Sequence, residues 1–290
     1  MNLYEILVEP LTYGFLQRSF VAAVAAALVC ALLSCWLVLI GWSLMGDAIS
    51  HAVLPGVVLS YIGGLPFAVG ALAAGLFAVV LIGWVRRNNR MREDSAIGIV
   101  FTTFFALGLV LISITPSSTD LNHILFGNIL GVSNADVAQV VVLALIVSAV
   151  LLIKRKDFTL FAFDPTYAQG AGLRPKLLGG VLLVLLALTS VVALQIVGVV
   201  LVVAMLVIPG STARLLTQRF NRMLMIACGV SLFGTLVGLY SSYYLDISAG
   251  GAVVLAQGII FFVVYLCAPR LGLLHKSGKQ ADKPLKSSVT

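Results

Sequence analysis

The stretch GDAISHAVLPG, residues 46–56, sets Asp47 and His51 four positions apart inside an otherwise apolar segment. On a helix, positions i and i+4 share a face with Cβ atoms about 5–6 Å apart, so both side chains can reach one ion. A carboxylate oxygen beside an imidazole nitrogen suits Mn²⁺, Fe²⁺ or Zn²⁺ better than a soft ion that wants sulfur or a Ca²⁺ ion in an all-oxygen shell. Pro55 lacks the N–H that would bond the carbonyl of His51, so a bend is predicted there, with that carbonyl left for water or an ion. The same residues admit a plainer reading, in which Asp47 caps a helix start and His51 merely pairs with it. Two ligands also fall short of a closed site, which for zinc has four. A symmetric or pseudosymmetric dimer would bring the pair twice to one axis.

Few other ionisable groups sit where chemistry could use them. His123 lies in STDLNHILFGNILGV with Asp120, either to help a metal enter or as an ordinary polar contact. Asp246, in SYYLDISAGG, is expected to cap or turn the end of a helix, and His275 to be solvated. The cysteines Cys30, Cys35, Cys228 and Cys267 form no CxxC and read as small buried hydrophobes. In PGSTARLLTQRFNR, Pro209 and Gly210 are expected to end one helix, and Ser211 or Thr212 to cap a short amphipathic one with Arg214, Leu215, Leu216, Arg219 and Arg222. Such a helix fits either a soluble partner or anionic lipid.

The elements that must hold these residues belong to a membrane. Of 290 residues, 61% are hydrophobic and 10% charged, whereas soluble domains are about one-quarter charged. The chain is therefore expected to be an all-α integral membrane protein; a barrel would alternate polarity over short segments. Apolar segments fall at 17–41, 44–63, 66–85, 96–114, 136–153, 177–194, 196–208, 223–244 and 252–268. A straight span takes about 20 residues, so 196–208 is short, and 177–208 reads as two spans or as one long helix plus a broken one near Gln195. The count is eight to nine. The net charge of +7 points to no nucleic acid, because every Lys and Arg except Arg18 lies in a link between apolar segments or in the tail, where the positive-inside rule places them in the cytoplasm. A single transmembrane domain is expected over 1–270, with a basic, disordered cytoplasmic tail over 271–290. Glycines inside spans, as in GALAAG, suit close helix packing.

There is no G-x₄-G-K-[ST] phosphate loop, no G-x-S-x-G and no HExxH, so neither ATP hydrolysis nor intramembrane catalysis is expected of this chain. The stretches GDAISHAVLPGV (46–57), LNHILFGNILG (121–131), VGVVLVVAMLVIPGSTARLL (197–216) and YYLDISAGGAVVLAQG (243–258) together resemble permease subunits of the manganese/zinc/iron chelate ABC importers, the ABC-3 family, nearest its manganese/iron branch. The resemblance implies a fold similar to vitamin B12-type (type II) importer permeases but with fewer helices. It implies a second permease subunit, alike or paralogous, cytoplasmic ATP-binding subunits, and a periplasmic or lipid-anchored metal-binding protein, in a bacterial inner membrane. It makes Asp47 and His51 the intramembrane metal ligands, and gives Pro209, Gly210, Ser211, Thr212, Ala213, Arg214, Leu215 and Leu216 the role of coupling to the ATPase. Metal would be cargo, with no bound cofactor. An ion-gradient carrier without an ATPase, and a non-transporting scaffold or sensor, are the competing classes.

Overall fold

The computed structural model describes residues 9–88, 93–115 and 132–267. A short 3-10 turn (Glu9–Thr12) leads into α1 (Gly14–Ile40), α2 (Ser43–Ala52), α3 (Leu54–Ile62), α4 (Phe67–Asn88), α5 (Glu93–Ile114) and α6 (Asn134–Ile153). Two short helices follow, α7 (Arg155–Phe163) and α8 (Pro165–Gly170), then α9 (Pro175–Val197), α10 (Val199–Leu216), α11 (Phe220–Leu245) and α12 (Ala249–Cys267). Nine stretches among the described residues are long and apolar enough to cross a membrane, with α2 and α3 forming one of them, Ser43–Ile62. Lipid offers no partner for backbone N–H and C=O groups, so an apolar chain there closes its hydrogen bonds within each helix. Stretch 121–131, with Asp120 and His123, and the tail 271–290 lie outside the described residues.

The eight-or-nine ambiguity resolves at Gly198. Its φ of 78° and ψ of 164° are open to glycine and strained for side-chain-bearing residues, so α9 stops there and a separate helix begins at Val199. The segment at 196–208 is a full span because that helix continues to Leu216. The break falls at Gly198 rather than at Gln195.

The helix α1 is central, packing along α6, α10 and α11, while α2 and α3 pack against α4 and α5, and α2 also against α9 and α10. Trp36, Leu33, Leu37, Ile49, Leu186, Leu201 and Met205 are fully buried in the resulting core. The outer helices turn Phe77, Val80, Ile99, Leu145 and Phe262 outward, as residues facing hydrocarbon do. Cys30 and Cys35 are buried, and all four cysteines are free. Asp246 ends α11 in the left-handed conformation, φ 51°, so it turns the chain as its sequence context suggested.

The predicted break at Pro209–Gly210 does not occur; α10 runs through it. A proline inside a helix removes one N–H and displaces the carbonyl four residues earlier, and the turn that follows Pro209 is held by side-chain bonds. The Gly210 N–H donates to Ser34 Oγ on α1 at 2.9 Å, and Thr212 Oγ1 donates to the Ile208 carbonyl at 2.8 Å. Such re-satisfaction by a neighbouring helix is what lets membrane helices carry proline. Ser34→Ala strands the Gly210 N–H in a buried position. We expect a loss of about 1–3 kcal/mol, read as a lower unfolding temperature of the purified protein in detergent; an unchanged temperature would mean that the N–H rebonds within α10.

The sequence also concealed two elements. KRK (154–156) and RPK (174–176) read as plain basic loops, yet α7 begins inside the first, at Arg155, and α8 follows before the second. Asp164 caps α8, accepting from the N–H groups of Thr166 and Tyr167, each at 2.9 Å. Phe158 and Phe161 are buried and anchor α7 by edge contacts, Phe158 on Trp36 with centroids 6.3 Å apart and Phe161 on Trp42 also at 6.3 Å. Phe220 meets Trp36 too, at 5.0 Å, so the α6–α9 link and the α10–α11 turn share one end of the bundle. That end carries Lys154, Arg155, Lys156, Arg174, Lys176, Arg214, Arg219 and Arg222, and is called the basic end below.

Candidate metal site and basic-end surface

Asp47 and His51 stand one turn apart on α2, with Asp47 Oδ1 3.4 Å from His51 Nε2. Two donors to one ion have a similar separation: bonds of about 2.0–2.2 Å at angles of about 90–109° put them roughly 3.0–3.5 Å apart. Asp47 does not cap the helix. The helix begins at Ser43, with Trp42 as its N-cap residue and no side-chain cap bond, so the plainer reading of the carboxylate loses its geometry. At a rise of about 1.5 Å per residue, Asp47 lies roughly 6 Å and His51 roughly 12 Å into a span that begins at the basic end, so the pair occupies the basic-end half of the membrane.

The rest of α2 explains which way the pair faces. Met45, Gly46, Ala48, Ile49, Ser50 and Ala52 are buried. Leu44, Asp47 and His51 follow one stripe on the other side, with Leu44 52% exposed and the side chains of Asp47 and His51 35% and 23% exposed. A carboxylate turned toward bare hydrocarbon is costly, so ionisable residues in spans face other helices or a water-filled path. The stripe is therefore a surface that a second protein chain or an aqueous path must cover.

The helix is interrupted just ahead of Pro55: α2 ends at Ala52 and α3 begins at Leu54, while Val53 between them keeps helical dihedrals, φ −70° and ψ −27°. The N–H of Val53 keeps its helical bond to the carbonyl of Ile49, at 3.2 Å. The imidazole packs edge-on against Phe101 and Phe105 of α5, with ring centroids 5.0 and 5.1 Å away. Among the described residues no group of three or more His, Cys, Asp and Glu could hold a metal, so the described part of one chain offers these two donors at this place.

The predicted coupling segment divides into two parts. Pro209, Gly210, Thr212 and Ala213 are buried, whereas Arg214 and Leu216 are exposed and Ser211 and Leu215 partly so. Arg214 donates to the Val38 carbonyl at 3.2 Å, which fixes its side chain against the end of α1. Arg214, Leu215, Leu216, Thr217, Gln218, Arg219 and Arg222 line a polar cleft of about 390 Å³. A second cleft of about 500 Å³ lies where α8 meets the start of α9, between Thr166, Gln169, Arg174 and Lys176. The sequence signal for α8, an Asp-Pro pair that caps and starts a helix, could have revealed this surface.

The profile of the ABC 3 transport family matches residues 12–268, nearly the whole membrane part. The chain belongs to the ABC 3 transport family. The permease is 48% identical over 269 residues to a probable iron transport system membrane protein of Haemophilus influenzae, covering 93% of this chain and 99% of that one. It is 49% identical over 278 residues to the manganese transport system membrane protein MntB of Synechocystis, covering 96% and 91%. Among solved structures it resembles PsaBC from Streptococcus pneumoniae in complex with Fab, with a TM-score of 0.86 and 36% identity over 97% of the permease and 100% of that chain. An inward-facing structure described as a metal-chelate type ABC transporter has a TM-score of 0.71 at 17% identity and speaks to the fold alone. The permease is thus a multi-pass membrane subunit of an ABC transporter, with the all-α architecture expected of it.

Proposed function

We propose that this permease forms the membrane path of an ATP-driven importer for divalent transition-metal ions, Mn²⁺ foremost and Fe²⁺ or Zn²⁺ as alternatives, with Asp47 and His51 as its intramembrane ligands. The observation that carries the reading is the 3.4 Å carboxylate–imidazole pair on an outward stripe of an interrupted span. Relatives that transport manganese or iron support the choice of cargo. Because each chain supplies two donors, a second permease subunit, identical or paralogous, would face the first along this stripe and complete the coordination. A hydrated ion must lose water to pass, and carboxylates and imidazoles replace it; the well must stay shallow, since an ion bound too deeply would not leave.

The positive-inside rule puts the basic end, and with it the C-terminal tail, in the cytoplasm of a bacterial inner membrane. The exposed part of the coupling segment, from Arg214 to Leu216, and the α7–α8 pair both lie at that end, where a separate ATP-binding subunit would dock. A periplasmic or lipid-anchored metal-binding protein would deliver the ion from the other side. The test is uptake by vesicles that contain the permease with its ATPase subunit. Mn²⁺ accumulation is expected to require ATP inside the docking compartment, with competition by Fe²⁺ and Zn²⁺ ranking the cargo. Uptake that persists without ATP under an ion gradient would instead identify a carrier.

A further inference from the structure

Histidines that bind metals almost always donate their second ring N–H to a carboxylate, a backbone carbonyl or water, which fixes both tautomer and ring orientation. His51 departs from that pattern. Its Nε2 faces Asp47, while its Nδ1 is buried with no hydrogen-bond partner among the described residues. What surrounds the ring instead is aromatic. Phe101 meets it at 5.0 Å with an interplanar angle of 61°, and Phe105 at 5.1 Å and 87°. These two phenylalanines are themselves one turn apart on α5 and lie 6.2 Å from each other.

Their placement is built into the backbone. Gly108, one turn beyond Phe105, brings α5 against the α2–α3 junction; a Cβ there would stand 2.8 Å from Leu54 Cβ and 3.3 Å from Pro55 Cδ. The junction at Pro55 and the glycine at 108 thereby set the register at which Phe105 and Phe101 slide alongside His51.

We propose that Phe101 and Phe105 are positioning residues for the metal step: their rings hold the His51 imidazole so that Nε2 is presented to the ion, doing by packing what a hydrogen-bonded acceptor does elsewhere. The proposal rests on the reading of Asp47 and His51 as ligands.

The experiment measures initial rates of ATP-driven Mn²⁺ uptake in vesicles that contain the permease with its ATPase subunit. Phe101→Leu/Phe105→Leu is expected to raise the KM for Mn²⁺ by about 10-fold or more, the lower range seen when outer-shell partners of metal ligands are removed. The maximal rate per folded complex is expected to stay within about twofold. Phe101→Tyr and Phe105→Tyr, which keep the rings, should hold the parental KM. Phe104→Leu is the control: Phe104 is buried on the same helix and packs on Phe77, so it should affect yield without moving KM. KM is independent of how much complex survives purification, so poor folding of a variant does not mask the result. An unchanged KM in the double leucine variant, or an equal rise in Phe104→Leu, overturns the proposal. In the same vesicles Asp47→Ala and His51→Ala test its foundation. If they retain uptake, the ligand reading fails and the positioning role falls with it; if they abolish uptake while the leucine variant keeps its KM, the positioning role alone is refuted.

Discussion

Asp47→Ala and His51→Ala are each expected to lower ATP-driven Mn²⁺ uptake by more than about 100-fold, beyond the roughly 10–100-fold that follows loss of an outer-shell partner. In a pair of identical permeases each substitution would remove two of the four donors. Asp47→Asn would retain one oxygen donor but lose the charge that offsets a dication, and should fall between alanine and the parent. The changes at Asp47 should not harm the fold. Asp47 makes no cap bond, its side chain is 35% exposed, and an aspartate within a span itself disfavours insertion. Membrane levels and binding of the ATPase subunit should therefore equal or exceed those of the parent. Loss of transport with full assembly identifies a ligand; loss of transport together with assembly would mean that the pair is structural, and normal uptake by both alanine variants would exclude it from the path.

The second large effect is structural. Gly56→Val is expected to destabilise the permease by about 3 kcal/mol or more, at or beyond the upper range for overpacking. Gly56 of α3 meets Gly70 of α4 backbone to backbone: a Cβ on either would run into the carbonyl oxygen of the other, and one on Gly56 would also stand 2.6 Å from Ala74 Cβ. Small residues at such crossings let helices approach closely in lipid, where packing is a main source of association. A valine must push the helices apart, and α3 follows directly on the helix that bears Asp47 and His51. Size-exclusion profiles and unfolding temperatures in detergent should show a loss of monodisperse protein. Gly229→Ala, where nothing lies within 4 Å of the added methyl, should match the parent or exceed it slightly, since alanine is the better helix former. A monodisperse Gly56→Val protein with the parental melting temperature would show that α3 and α4 need not touch for the bundle to hold.

The candidate site was largely readable in GDAISHAVLPG. An i, i+4 acid and histidine, followed by a proline, is a local pattern, and helix geometry is fixed locally, so spacing alone placed both side chains on one face and the interruption beyond them. The course of PGSTARLL was misjudged for a non-local reason. Pro209 and Gly210 look like a helix end unless Ser34, far away in the sequence, is known to accept the Gly210 N–H. Likewise α7 is short and weakly apolar, and only Trp36 and Trp42 on other elements show why Phe158 and Phe161 hold it in place.

The sequence by itself determined that the chain is helical and lies in a membrane, where its basic end is, and which two residues could share an ion. Those properties follow from composition, from hydropathy over about 20 residues and from a 3.6-residue period, all of which act along the chain. The tertiary structure decided the rest: that Gly198 separates two spans, that α10 passes through its proline, that Asp47 and His51 lie on a stripe open to a second chain, and that Phe101 and Phe105 flank the imidazole. Each depends on which helix stands beside which, and in lipid that choice is made by close packing and by hydrogen bonds between helices, whose partners lie far apart in the sequence.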